Sequence, residues 1–260
     1  MTTFRMIAPR LAARAAVLRR FPCIIHNNGS HPILSALLAA AMLMLCPVSG
    51  TAMDIGDAQE MVDDARLIVA RMLGHPDMSW LRRNVQKAKA IFIAPAIVRI
   101  GYLAGVAKGN GVLLVKDEQT GQWSDPAFFS LMGAGVGLQI GIARTEVVAL
   151  IMSRDEADSF LRGRFVFGPG AALAIGPAGA SAGTATTPTL RHGIVSFAKA
   201  GGAYAGVTLQ GVIAMSDESG NEAYYGSAIR SEDILARPQT IRHWYSTRIR
   251  NTLDRAGEDP

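Results

Sequence analysis

Four cations, Arg82, Arg83, Lys87 and Lys89, lie in a short stretch interleaved with Trp80, Leu81 and Val85. On a helix, Arg82 or Arg83 stands about one turn from Lys87, so the charged heads can gather on one face with Trp80 at an interface. Such a cluster attracts anionic lipid headgroups, each cation contributing about 1 kcal/mol near a charged surface. The plain alternative is a solvated helix face. These four residues are the candidate lipid-binding set.

Other residue types that could do chemistry lack the context it needs. Gly179-Ala180-Ser181-Ala182-Gly183 has the spacing of a nucleophile elbow, with Asp217 and His243 following in the order of a hydrolase triad. An elbow joins an apolar strand to a helix, whereas Gly176-Pro177 precedes this one and Thr184 to Pro188 follow without helical spacing. Gly133-Ala134-Gly135-Val136-Gly137 has the glycines of a nucleotide loop but no strand ahead and no helix directly behind, so close strand packing explains it better. His75, His192 and His243 show no metal-ligand spacing with one another or with acids. The expectation is a binding protein without a metal, a cofactor or catalytic residues.

Charge and cysteine content depend on the N-terminus. Arg5, Arg10, Arg14, Arg19 and Arg20 precede an apolar run from Ile33 to Leu45, and no acid occurs before Asp54. A positive leader, an apolar run too short to span a bilayer comfortably and the small residues Gly50-Thr51-Ala52 form the pattern of an export signal. Residues 1–52 are therefore expected to be a signal peptide, cleaved after Ala52, and the protein periplasmic or secreted. Cys46 could instead carry a lipid, but Leu45 is a poor residue before such a cysteine. Arg19-Arg20 fits a twin-arginine signal only marginally. The chain carries 26 Lys and Arg against 21 Asp and Glu. Removing the five leader arginines leaves equal numbers of each sign, so the pI near 9.5 is no argument for nucleic acid. Cys23 and Cys46 leave with the leader, and with them any disulfide or thiol chemistry.

These candidates need elements to position them. From Asp54 to Leu73 apolar residues recur at three- and four-residue spacing, acids cluster at the start, and Gly74 and Pro76 come after, which predicts an amphipathic helix. A second, basic helix is expected from Asp77 to about Ala90. Short apolar runs then predict strands over 91–98, 111–115, 147–152, 165–167, 194–197 and 205–215. Ser153-Arg154-Asp155-Glu156 is a capping box opening a short helix to about Leu161. Residues 176–188 read as a loop or weak hairpin. Ile241, Trp244, Tyr245, Ile249 and Leu253 take helical spacing beside Arg242, Arg248 and Arg250. The order predicts an α+β fold: an antiparallel, β-rich core of short strands flanked by N-terminal amphipathic helices and a C-terminal helix.

Several segments in order resemble the SYLF domain family, a lipid-binding domain also found in yeast actin-binding proteins. They are Ala88 to Ile93 leading to Pro95, Gly109 to Val115, Trp123-Ser124-Asp125-Pro126, Gly137 to Gly141, Gly176-Pro177, Tyr204 to Gly211 and Tyr224-Tyr225-Gly226. The resemblance covers about residues 88–235. With the leader and helices read above, the expected division is a leader (1–52), an N-terminal helical segment (53–87), a SYLF-like domain (88–236) and a basic C-terminal helix and tail (237–260). The resemblance implies a non-catalytic domain binding membrane lipid through basic and amphipathic surface near its N-terminus. No SH3 or FYVE-type segment is read within these 260 residues, and an exported protein would not be expected to meet cytosolic phosphoinositides or actin. The expected partner is an anionic membrane phospholipid bound through Arg82, Arg83, Lys87 and Lys89, with helix 54–73 assisting. A structural or protein-interaction module of the cell envelope is the alternative, and a hydrolase using Ser181 comes third.

Overall fold

The computed structural model describes residues 53–101, 104–136, 141–167, 173–174, 193–200, 203–205, 209, 211–236 and 243–256. The leader, the glycine-rich stretch 176–188 and Ser181 lie outside the described residues. The chain divides into two units, Met1–Gly50 and Thr51–Pro260, and every described residue belongs to the second.

Helix α1 runs Ile55–Gly74, as the spacing predicts. Asp54 caps it by accepting from the Asp57 amide at 2.8 Å. The expected second helix is shorter and broken. A 3-10 turn (Pro76–Met78), α2 (Ser79–Asn84) and another 3-10 turn (Val85–Lys87) are followed by extended chain from Ala88. Lys89 therefore does not share a helix with Arg82, because Ala88 and Ala90 are drawn into the core.

The strands are β1 (Ala90–Gly101), β2 (Ala104–Val115), β3 (Ala127–Val136), β4 (Gly141–Ile151), β5 (Arg164–Val166), β6 (Leu173–Ala174), β7 (Ile194–Ala200), β8 (Ala203–Ala205) and β9 (Val212–Ser216). They form one sheet in the order β5-β9-β3-β2-β1-β4-β7-β6, with β8 also on β7, and all pairs are antiparallel except β6 with β7. β3 is absent from the strands expected of the sequence. Its Gly133 pairs with Val212, and an added Cβ there would lie 3.1 Å from the Val212 side chain. The expected continuous strand 205–215 is also corrected: Gly211 takes φ +79 and turns the chain into β9. Helices α3 (Arg154–Leu161), α4 (Glu218–Tyr225), α5 (Ser231–Ala236) and α6 (Trp244–Arg255) complete the fold. The capping box appears as Ser153 Oγ accepting from the Glu156 amide.

The sheet is covered on both faces. On one, Val62, Ile68, Val69 and Met72 of α1 pack with Leu81, Tyr224, Ile249 and Leu253 against Ile91, Ile93, Val112, Leu114 and Phe128. On the other, Phe160 of α3 and Ile234 of α5 meet Phe92, Leu113, Phe129 and Val147. The sheet curls over this second face: Phe165 at its β5 edge stacks on Phe160 at 4.2 Å, and Phe167 lies 6.4 Å from Phe92 of central β1. No helix among the described residues is long and apolar enough to cross a membrane.

A bulge in β1 sets the geometry of everything beyond it. Between Ile93 and Ala96 the strand advances three residues while β2 advances two, and β4 shows the same offset. Pro95, which has no amide to donate, sits in this bulge. The bulged backbone crowds β2: an added Cβ at Gly109 would lie 2.5 Å from the Ala96 carbonyl oxygen, and one at Gly111 would lie 2.6 Å from that of Ile93. The Gly109-Asn110-Gly111 motif is thus a consequence of the bulge.

Candidate functional site

The candidate cations lie where the chain enters β1, and the structure separates them. Arg82 is half-buried, and its guanidinium donates to the carbonyls of Leu73 and His75, the latter at 2.9 Å, closing the C-terminal end of α1. Lys89 pairs with Glu118 at 2.9 Å, and Arg154 approaches the same carboxylate at 4.0 Å. The Lys89 hydrogen bond and charge, with Arg154, hold the Glu118 carboxyl below its usual range. Arg83 and Lys87 are exposed and make no ion pair among the described residues. Trp80 is turned inward, its ring 5.8 Å from Phe197.

The packing of α1 narrows the assistance expected of it. Ala58, Val62, Ala65, Ile68, Val69, Met72 and Leu73 form its apolar stripe, and all are buried in the core. This stripe is spent on the protein core, and of the helix's large apolar side chains Ile55 and Leu67 stay exposed, at 55% and 41%.

Around these cations the motif segments form a cross-linked base. Lys116 donates to the Gln86 carbonyl at 2.8 Å and to its side-chain oxygen at 2.7 Å, and Gln86 in turn donates to the Leu253 carbonyl. Burial lowers the Lys116 pKa, against the opposing charge of Asp254. Asp125 and Arg250 form a buried ion pair between the segment ahead of β3 and α6, with side-chain exposures of 3% and 7%. Tyr225 donates to the Pro126 carbonyl at 2.8 Å, the Tyr224 and Ser246 hydroxyls bond at 3.0 Å, and burial raises both phenol pKa values. Asn221 accepts from the Phe128 amide at 2.9 Å and donates to Ser231 at 2.8 Å. The Trp-Ser-Asp-Pro and Tyr-Tyr-Gly signatures therefore act as fasteners that hold α4 and α6 on the sheet, rather than as a surface.

The remaining candidates fall into structural places. Asp217 caps α4, accepting from the Gly220 amide at 3.0 Å, and His243 lies against the Tyr224 ring at 4.3 Å. Among the described residues, no three His, Cys, Asp or Glu side chains gather as a metal site. Sequence reading missed Trp244, which is 61% exposed with the Arg248 guanidinium 4.4 Å from its ring centroid. Its helical spacing made it look like core.

Residues 132–256 match the Ysc84 family, described as Las17-binding protein actin regulator. The match extends through α6, which the sequence reading placed outside the family region. The chain is similar to LAS seventeen-binding protein 3 of Saccharomyces cerevisiae, 28% identical over 155 residues, which are 58% of this chain and 33% of that protein. It is similar to Protein YSC84 of the same yeast at 27% over 155 residues, with the same coverage. It is also similar to SH3 domain-containing YSC84-like protein 1 of Homo sapiens at 26% over 161 residues, 62% of this chain and 46% of that protein. The chain spans about a third to a half of the length of the curated relatives it matches.

Proposed function

The chain belongs to the Ysc84, or SYLF, family, and from that premise we propose that it is a non-catalytic binding protein whose ligand is an anionic membrane surface. The observation that carries this reading is the pair Arg83 and Lys87, exposed and without an ion-pair partner among the described residues, standing on a base whose other cations are engaged. Arg82 and Lys89 contribute field at this surface but are held by Leu73, His75 and Glu118. The leader pattern supports a periplasmic or secreted location, where the surface would be an anionic phospholipid of the envelope.

The test is sedimentation of residues 53–260 with vesicles of phosphatidylglycerol and phosphatidylcholine in equal parts. Binding is expected at low salt, weaker at high salt, and reduced at least about thirtyfold by R83E/K87E, since each reversal removes about 1 kcal/mol of attraction and adds repulsion. Failure to sediment at low salt would overturn the reading. A protein partner is the second reading, supported by relatives that are named for binding Las17.

A further inference from the structure

At the opposite end of β1 no described helix covers the sheet face that α1, α4 and α6 cover elsewhere. The bulge brings Val98 and Ile100 onto the face that carries Val112 and Phe128. Ile100 pairs with Val106, and Val106 pairs with Ala134, so three apolar side chains form one row across β1, β2 and β3. Ile100 is 52% exposed, Val106 62%, and Met132 in the row behind 53%. Such a contiguous apolar row in water marks a contact surface.

The charges around it are ordered by distance from the sheet end. No charged residue occurs from Ile100 to Ala107 or from Leu131 to Ala143. One row back, Lys108 pairs with both Val98 and Met132, and Arg144 pairs with Val98 from β4. Both cations are exposed. The acids come a further row back: Asp57, Glu60 and Asp64 of α1 line a groove of about 240 Å³ with Ala96 and Asn110, and Arg144 stands at the rim where this groove meets the row of Lys108. An uncharged apolar edge, a cationic collar and then acids is the order in which a bilayer presents acyl chains, anionic headgroups and water. In a second copy docked face to face about a twofold axis, Lys108 and Arg144 would approach their own images.

We propose that this end of the sheet is a second membrane-contacting surface, which inserts Ile100, Val106 and Met132 shallowly into an anionic bilayer while Lys108 and Arg144 meet the headgroups. The choice of ligand rests on the lipid reading above, but the surface does not. β1 has 12 residues, so at about 3.3 Å each this end lies roughly 35 Å from Lys87 and its neighbours.

The experiment uses residues 53–260, which contain the whole described core and no cysteine. V106C and K87C are each labelled with an environment-sensitive nitrobenzoxadiazole and mixed with the equal-part phosphatidylglycerol and phosphatidylcholine vesicles. The V106C label is expected to brighten at least about threefold with a blue shift, as acyl-chain contact requires, while the K87C label at the headgroup surface brightens far less. V106D should weaken sedimentation about tenfold, also at high salt where R83E/K87E has no further effect. If the protein sediments but only the K87C label responds, or V106D binds normally, the inserted end is wrong and the lipid reading stands. If no variant sediments and both labels stay dark, both readings fall. If residues 53–260 dimerise without vesicles and V106D abolishes the dimer, this end is covered by a second copy instead.

Discussion

At the end of the sheet where β1 begins, aromatic and charged side chains are buried and tied to one another; at the end where β1 turns into β2, apolar side chains stand in solvent. Trp123, Tyr224 and Phe128 are all but inaccessible at the first end, and Asp125 and Arg250 are fastened across it. At the second, Ile100 and Val106 are more than half exposed. The difference arises because α1, α4 and α6 cover one length of the sheet and the strands run past them. It teaches that the Trp-Ser-Asp-Pro and Tyr-Tyr-Gly signatures mark the end that needs fixing, while the open end is marked by an absence of charge.

The largest effect that could break this comparison is loss of the buried ion pair. R250M would leave the Asp125 carboxylate buried beside an apolar side chain, which costs about 3–5 kcal/mol of stability. V106D at the open end is expected to change stability by less than about 0.5 kcal/mol. Urea unfolding of the two variants measures both, and equal losses would mean that the two ends do not differ as described.

A smaller effect tests the boundary between the ends. An added methyl at Gly109 would meet the Ala96 carbonyl at 2.5 Å, and neither strand backbone there can retreat without disturbing the bulge. G109A is expected to cost about 1–3 kcal/mol. At Gly74, where nothing lies within 4 Å of the added atom, G74A should be neutral or slightly stabilising. Because the bulge sets which face carries Ile100, G109A should also lower the V106C label response to vesicles. An unchanged response in a destabilised variant would separate the bulge from the open end.

These elements differ in how far the sequence revealed them, for physical reasons. Helix α1 was legible because its caps and three- and four-residue spacing are local signals, and so was the capping box at Ser153. The basic helix expected to Ala90 was not, because pairing of Ala90 with both Val115 and Ile151 overrides local helical preference. β3 was missed because Gly133 and Gly135 dilute its alternation, although a Cβ at Gly133 would crowd the Val212 side chain at 3.1 Å. At the candidate surface, Arg83 and Lys87 stand exposed in the structure, whereas the ties of Arg82 to carbonyls nine and seven residues away carry no sequence signature. The exposed row was hidden for a similar reason. Counting alternation straight through from Ile91 and Ile93 puts Ile100 on the opposite face, and only the bulge corrects it.

The smallest effect sharpens the contrast through pH. His243 packs on Tyr224 at the fastened end, and its Nδ1 is buried without a hydrogen-bond partner among the described residues. Burial lowers its pKa below the ordinary 6.5, with the Asp125 charge opposing. The folded protein thus takes up this proton less readily than the unfolded chain. Above about pH 6.5 the imidazole is neutral in both states and contributes nothing, and as pH falls below that value the unfolded chain gains protons first and stability is lost. Asp63 and Glu118 have pKa values lowered by Arg66 and Lys89, so their contributions vanish only in a separate window, as pH falls through the carboxylate range. The thermal midpoint is therefore expected to drop slightly between about pH 7.5 and 5.5, and H243Q should flatten the drop. A slope that survives in H243Q would mean that the fastened end does not sense pH through this ring, leaving its buried ion pair as the main point at which it differs from the open one.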